Sequence, residues 1–89
     1  MKLISLINPL ADFNELAALC KPEDALLLRQ DAVYLCLRTD MPWPVSQCYA
    51  LDIDVQSRNI TLPDSVQQIN AAQWVELVVQ AEVNLLWPS

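Results

Sequence analysis

The sequence predicts an α/β fold, and three observations carry that expectation. Residues 25–28, Ala-Leu-Leu-Leu, are consecutive apolar residues, a run too short for an independent helix and typical of a strand covered on both faces. An apolar strand, an amphipathic helix and this second strand follow one another in the first third of the chain, an order that favours a right-handed parallel crossover. Towards the other end, Trp74, Leu77, Val78 and Ala81 repeat at i, i+3, i+4 and i+7 behind a capping box, the clearest helix in the sequence.

Taken in order, Lys2 to Ile7 reads as a buried first strand, ended by Asn8-Pro9 because proline lacks the amide a central strand needs. Asn8 can cap a helix with Pro9 at its first position, and Asp12 with Glu15 offers a competing capping box. Phe13, Leu16, Ala17 and Cys20 then form one helical face that ends before Lys21-Pro22. The second strand spans residues 25–30. Arg29, Gln30 and Asp31 break the apolar run at the carboxyl end of the sheet, where ligands and partners meet an open α/β fold. Asp31 is expected to cap a short helix over Ala32 to Leu37, a bland role that outweighs a catalytic one.

Thr39 to Pro44 is a loop, since Pro42 and Pro44 leave neither helix nor ladder intact. Gln47 to Leu51 is the third strand, after which Asp52 or Asp54 caps a helical turn through Val55 to Arg58. The chain turns again at Pro63, and Val66 to Ile69 is a fourth strand. Asn70 and Gln73 box the last helix, on which Trp74 is expected to face the core. Val83 to Ser89 is an apolar tail.

Composition excludes more than motifs admit. The chain of 89 residues makes one domain, residues 1–89, near the lower limit for folding without disulfides or metal. At 54% hydrophobic and 18% charged, it holds more apolar material than so small a domain hides, which leaves surface for a partner. Five basic against 11 acidic residues give a net charge of −6, unsuited to phosphate backbones, so no direct nucleic-acid contact is expected. There is no signal-peptide pattern and no membrane-length apolar run, so a cytoplasmic location is expected. Histidine and glycine are both absent, which removes Ser-His and Cys-His catalysis, Walker loops and dinucleotide loops. The three cysteines, Cys20, Cys36 and Cys48, fit neither a disulfide framework nor a zinc pattern. No cofactor or metal is expected.

Three stretches together resemble the TusB/DsrH family: Leu26-Leu-Leu-Arg-Gln-Asp-Ala-Val33, Tyr49-Ala-Leu-Asp-Ile-Asp-Val-Gln-Ser-Arg58, and Trp74-Val-Glu-Leu-Val-Val79 with the near-terminal Trp87. The order and spacing are close to the family's over nearly the whole chain. Ala32 stands where the family usually has glycine, and the stretch from Tyr34 to Gln47 is shorter than usual. The resemblance implies a small three-layer α/β domain with a largely parallel four- or five-stranded sheet flanked by helices. It also implies a subunit of a hetero-oligomer with TusC/DsrF-like and TusD/DsrE-like partners, which relays sulfur as a cysteine persulfide. In the Tus version the sulfur comes from a TusA-like donor and passes through a TusE-like acceptor to the 2-thiouridine of the tRNA wobble position. The reactive cysteine belongs to the TusD-like subunit, which leaves this chain a mainly structural, non-catalytic role.

Some DsrH-type members carry a cysteine in their first helix. Cys20 lies about one turn, ~3.6 residues, later than theirs, so the role is not carried across. A persulfide thiol needs exposure and a positive neighbour or helix N-terminus, whereas Cys20 sits at a helix C-terminal end with only Lys21 beside it. Cys20 is the sole catalytic candidate, and packing is its expected fate, as for Cys36 and Cys48. Asp52 and Asp54 read as a solvated capping pair with no third metal ligand. Trp43 and Trp87, with Leu85 and Leu86, are the candidate interface residues, although Trp87 could equally fold back on its own sheet. The alternatives to a tRNA-thiolation subunit are a DsrH-type subunit in dissimilatory sulfur oxidation, a free-standing thiol enzyme using Cys20, and an interaction module outside sulfur metabolism.

Overall fold

The computed structural model describes residues 1–38 and 41–87, so part of the expected loop from Thr39 and the last two residues of the tail lie outside it. Five strands, β1 (Lys2–Leu6), β2 (Ala25–Leu28), β3 (Gln47–Leu51), β4 (Val66–Ile69) and β5 (Val83–Leu86), form one sheet in the order β4-β3-β2-β1-β5. Every pairing is parallel. The α/β class and parallel sheet are as expected from the sequence, and the apolar tail supplies the fifth strand, with Lys2 opposite Val83 and Ser5 opposite Leu86.

The connections explain the layers. From β1 to β4 each crossover steps one strand in the same direction, through α1 (Phe13–Leu19), a 3-10 helix (Gln30–Leu37) and α2 (Asp52–Ser57). Right-handed crossovers in one direction place all three on one face. They cover the main core of Ile4, Leu6, Leu26, Leu28, Cys48 and Ala50 with Leu16, Val33, Leu35 and Val55. The last connection, α3 (Ala71–Gln80), runs back past β3, β2 and β1 to β5. The same handedness puts α3 on the opposite face, where Trp74, Leu77 and Ala81 pack on Leu3, Ala25, Leu27 and Ile69. Among the described residues that face has one helix where the other has three elements.

Capping follows the sequence at two helices and departs from it at two elements. Asp12 wins over Asn8: its Oδ1 accepts from the Asn14 and Glu15 amides at 2.9 and 3.3 Å, whereas Asn8 Oδ1 accepts from Leu10 in a local turn. Asn70 and Gln73 form the expected reciprocal box, each bond 2.9 Å.

The expected helix capped by Asp31 is instead a 3-10 helix that begins at Gln30 with no side-chain cap. Strand β2 accordingly ends at Leu28 rather than residue 30, because Gln30 has φ 51° and turns the chain out of the sheet. Asp52 and Asp54 do not cap either. Leu51 is the N-cap of α2 and both carboxylates lie in its first turn, where the helix dipole favours them. Asn59, with φ 53°, closes α2 in a Schellman turn: its amide donates to Gln56 and that of Ile60 to Val55.

Candidate functional site

All three cysteines are free. Cys20 is the C-cap of α1 and half-buried. Burial pushes its thiol up, the Asp24 carboxylate adds to the rise, and the Lys2 ammonium only partly opposes them. Cys36, buried in the 3-10 helix, is pushed up to about 11 by desolvation. Cys48 in β3 is raised further by burial and by nearby Cys36. Thiolate is the nucleophilic form, so burial at each cysteine works against persulfide chemistry near neutral pH.

Asp24 sits behind this at the start of β2, 2% exposed. Burial would raise its pKa, but the backbone amides of Lys2 and Lys21 and the Lys2 ammonium outweigh that and hold the carboxyl below the usual range. Its Oδ1 accepts from the Lys2 amide at 2.8 Å, its Oδ2 from the Lys21 amide at 2.9 Å, and Lys2 Nζ lies 3.4 Å away. The carboxylate therefore ties the starts of β1 and β2 together and has little capacity left for a ligand.

At the opposite, carboxyl end of the sheet, Arg58 gathers Asp31 and Asp54. Its Nε and Nη2 donate to Asp31 Oδ1 at 3.1 and 3.0 Å, and Nη1 donates to Asp54 Oδ1 at 3.4 Å. The single guanidinium offsets one of the two carboxylate charges, and the cluster clamps the 3-10 helix to α2. Among the described residues no group of three or more Cys, Asp and Glu side chains is arranged to hold a metal ion.

The aromatic candidates divide. Trp43 packs against the main core and meets Phe13 edge-on, ring centres 6.1 Å apart. Leu85 and Trp87 also pack against that core, and the Trp87 amide donates to Ser5 at 2.9 Å. Leu86, on the other face of β5, is 57% exposed.

The surface that sequence reasoning missed surrounds Leu86. Helix α3 is apolar on two sides: Trp74 and Leu77 face the sheet, while Val75 and Val79 are 61% and 77% exposed. Beside the helix, Val78, Leu86 and Arg29 line a groove over β1 and β5, and the Arg29 guanidinium lies 4.4 Å from the centre of the Trp74 ring. The available signal was Val75-Glu-Leu-Val-Val79, too apolar for one stripe. This arrangement can bury apolar surface and one opposite charge; it offers no activated nucleophile.

The family model of DsrH-like proteins matches residues 9–84. No curated protein matches the chain. Among solved structures, the solution structure of protein Tm0979 from Thermotoga maritima superposes with a TM-score of 0.66 at 24% identity, over 89% of this chain and 92% of that one. That likeness is one of fold. No helix among the described residues is long and apolar enough to cross a membrane.

Proposed function

We propose that this chain, which belongs to the DsrH-like protein family, is a structural subunit of a sulfur-relay complex and not its sulfur-carrying member. The family match over residues 9–84 is the observation that carries the reading. The thiol environments support the division of labour, since burial raises the pKa of Cys20, Cys36 and Cys48 alike.

In this reading the chain assembles with TusC/DsrF-like and TusD/DsrE-like subunits, and the persulfide forms on a cysteine of the TusD/DsrE-like subunit. A TusA-like protein delivers the sulfur and a TusE-like protein takes it on towards 2-thiolation of the tRNA wobble uridine. The acidic surface, net charge −6, accords with a subunit that works in the cytoplasm and leaves tRNA contact to others. A DsrH-type role in dissimilatory sulfur oxidation is the rival within the family, and the position of Cys20 at the end of α1 favours the tRNA route.

Deleting the gene and measuring 2-thiouridine in bulk tRNA by mass spectrometry tests the reading. Loss of the modification, restored by the wild-type gene and equally by a version with all three cysteines replaced by alanine or serine, is the expected result. Unchanged 2-thiouridine would overturn the tRNA route. Rescue that required Cys20 would overturn the structural role.

A further inference from the structure

We propose that the groove between α3 and β5 docks an extended apolar segment of a partner subunit, which brings a carboxylate to Arg29. The inference rests on the sulfur-relay reading for the identity of the partner, and on the following geometry for the surface.

The groove is lined by Leu3, Ser5, Arg29, Trp74, Val78 and Leu86, among others, is open to solvent, and has a volume of about 220 Å³. A dry cavity of ~150 Å³ accepts a benzene ring, so a leucine- or phenylalanine-sized side chain fits here. One wall is β5, an edge strand that among the described residues pairs with β1 alone. The Trp87 amide points inward to Ser5, and alternation along a parallel strand turns the amides of Asn84 and Leu86 outward. Sheet edges are normally blunted by charge or proline. Neither edge strand carries charge or proline, but β4 exposes the polar Gln67 and Gln68, whereas β5 exposes the apolar Val83 and Leu86.

Charge selects the occupant. Lys2 is paired with Asp24, and Arg58 with Asp31 and Asp54. The Arg29 guanidinium has no acid or hydrogen-bond acceptor among the described residues and rests on the Trp74 ring alone. A guanidinium half-removed from water favours a bidentate carboxylate. A second copy of this chain paired edge to edge would offer β5 again; that strand contains no carboxylate, and Glu82 just before it lies 3.9 Å from the Met1 ammonium of its own chain. A different subunit with an apolar strand and an aspartate or glutamate fits both the edge and the cation.

The test is co-production of the full chain with the DsrE-like and DsrF-like proteins encoded in the same genome, read by native mass spectrometry and amide hydrogen exchange. The expected result is a hetero-oligomer in which exchange at Asn84 and Leu86 slows at least tenfold. Arg29→Glu should cut assembly at least tenfold. So should Leu86→Pro, which removes an outward amide while leaving the bonds to β1 in place. Circular dichroism melting shows that each variant folds, and if one does not, the exchange pattern of the wild-type complex decides. Assembly that is unaffected by either folded variant, or protection confined to another surface, overturns the docking proposal and leaves the relay reading intact. Protection of β5 in a complex of this chain with itself assigns the groove to a second copy and overturns the acidic partner. If the wild-type chain assembles with neither protein, the relay reading fails and the proposal falls with it.

Discussion

The Arg29 guanidinium stands 4.4 Å from the centre of the Trp74 ring, which joins the carboxyl end of β2 to α3, the helix that covers the opposite face of the sheet from α1 and α2. Arg29 follows a strand of four fully buried residues, and Trp74 opens the sheet-facing stripe of α3, a helix with no fully buried residue. One cation–π contact thus adds to the apolar packing of Trp74 and Leu77 that seats the helix on the sheet.

Trp74→Ala should therefore destabilise the chain by on the order of 2–3 kcal/mol, below the cost of a fully buried tryptophan. Arg29→Ala should cost less, and a double-mutant cycle should return a coupling of roughly 0.5–1 kcal/mol, the range of partly exposed cation–π pairs. Urea unfolding of the four proteins measures both. A coupling of zero would mean that the ring and the guanidinium are neighbours without mutual stabilisation.

Asp24→Asn should lose about 2 kcal/mol, because the neutral amide presents hydrogens where a carboxylate oxygen accepts from the Lys2 or Lys21 amide. The pH dependence has a definite sign. The folded carboxyl lies below its unfolded value, so its stabilisation is complete above the unfolded pKa of ~3.9 and is lost as pH falls through the folded pKa. Wild-type stability should drop more steeply than that of Asp24→Asn below about pH 4, and parallel acid limbs would exclude Asp24 as the cause.

Raised thiol pKa values set the alkaline limit. Cys36 stays protonated in the folded chain up to about 11, whereas an unfolded cysteine ionises near ~8.5. Its contribution is intact below the unfolded value and disappears as pH rises towards the folded one. Cys36→Ala should flatten the loss of stability between those limits. At neutral pH, iodoacetamide should alkylate all three thiols more slowly than an unfolded control, with Cys48 the slowest; one cysteine reacting faster than the control would restore the thiol-enzyme reading.

Among the described residues two hold positive φ without glycine, Gln30 at 51° and Asn59 at 53°. Asparagine visits this region readily and other residues at a cost of roughly 1–2 kcal/mol. Asn59→Ala should lower stability by about 1 kcal/mol, and Gln30→Gly should raise it by up to about 1 kcal/mol by relieving the side-chain clash. Thermal melting resolves shifts of this size, and an unchanged midpoint for Asn59→Ala would remove the Schellman turn from the account of α2.

The start of β1, the boundaries of β3 and β4, the end of α1 and the capping box of α3 were all legible in the chain, because each depends on apolar period, a proline or a cap within a few residues; β1 itself stops at Leu6, one residue short of the expected Ile7. The right-handed crossover was legible for the same reason: strand, helix and strand succeed one another locally. Long-range pairing decided the rest. Asp31 looks like a cap until the fold brings Arg58, 27 residues away, within reach. The tail looks like spare apolar surface until β1 is found with an open side. The backward step from β4 to β5 places α3 alone on one face, which leaves Val75, Val79 and Leu86 in water and Arg29 beside Trp74. Sequence period says which residues share a helix face; only strand order says whether anything covers it, because covering a face takes a second element delivered from elsewhere in the chain.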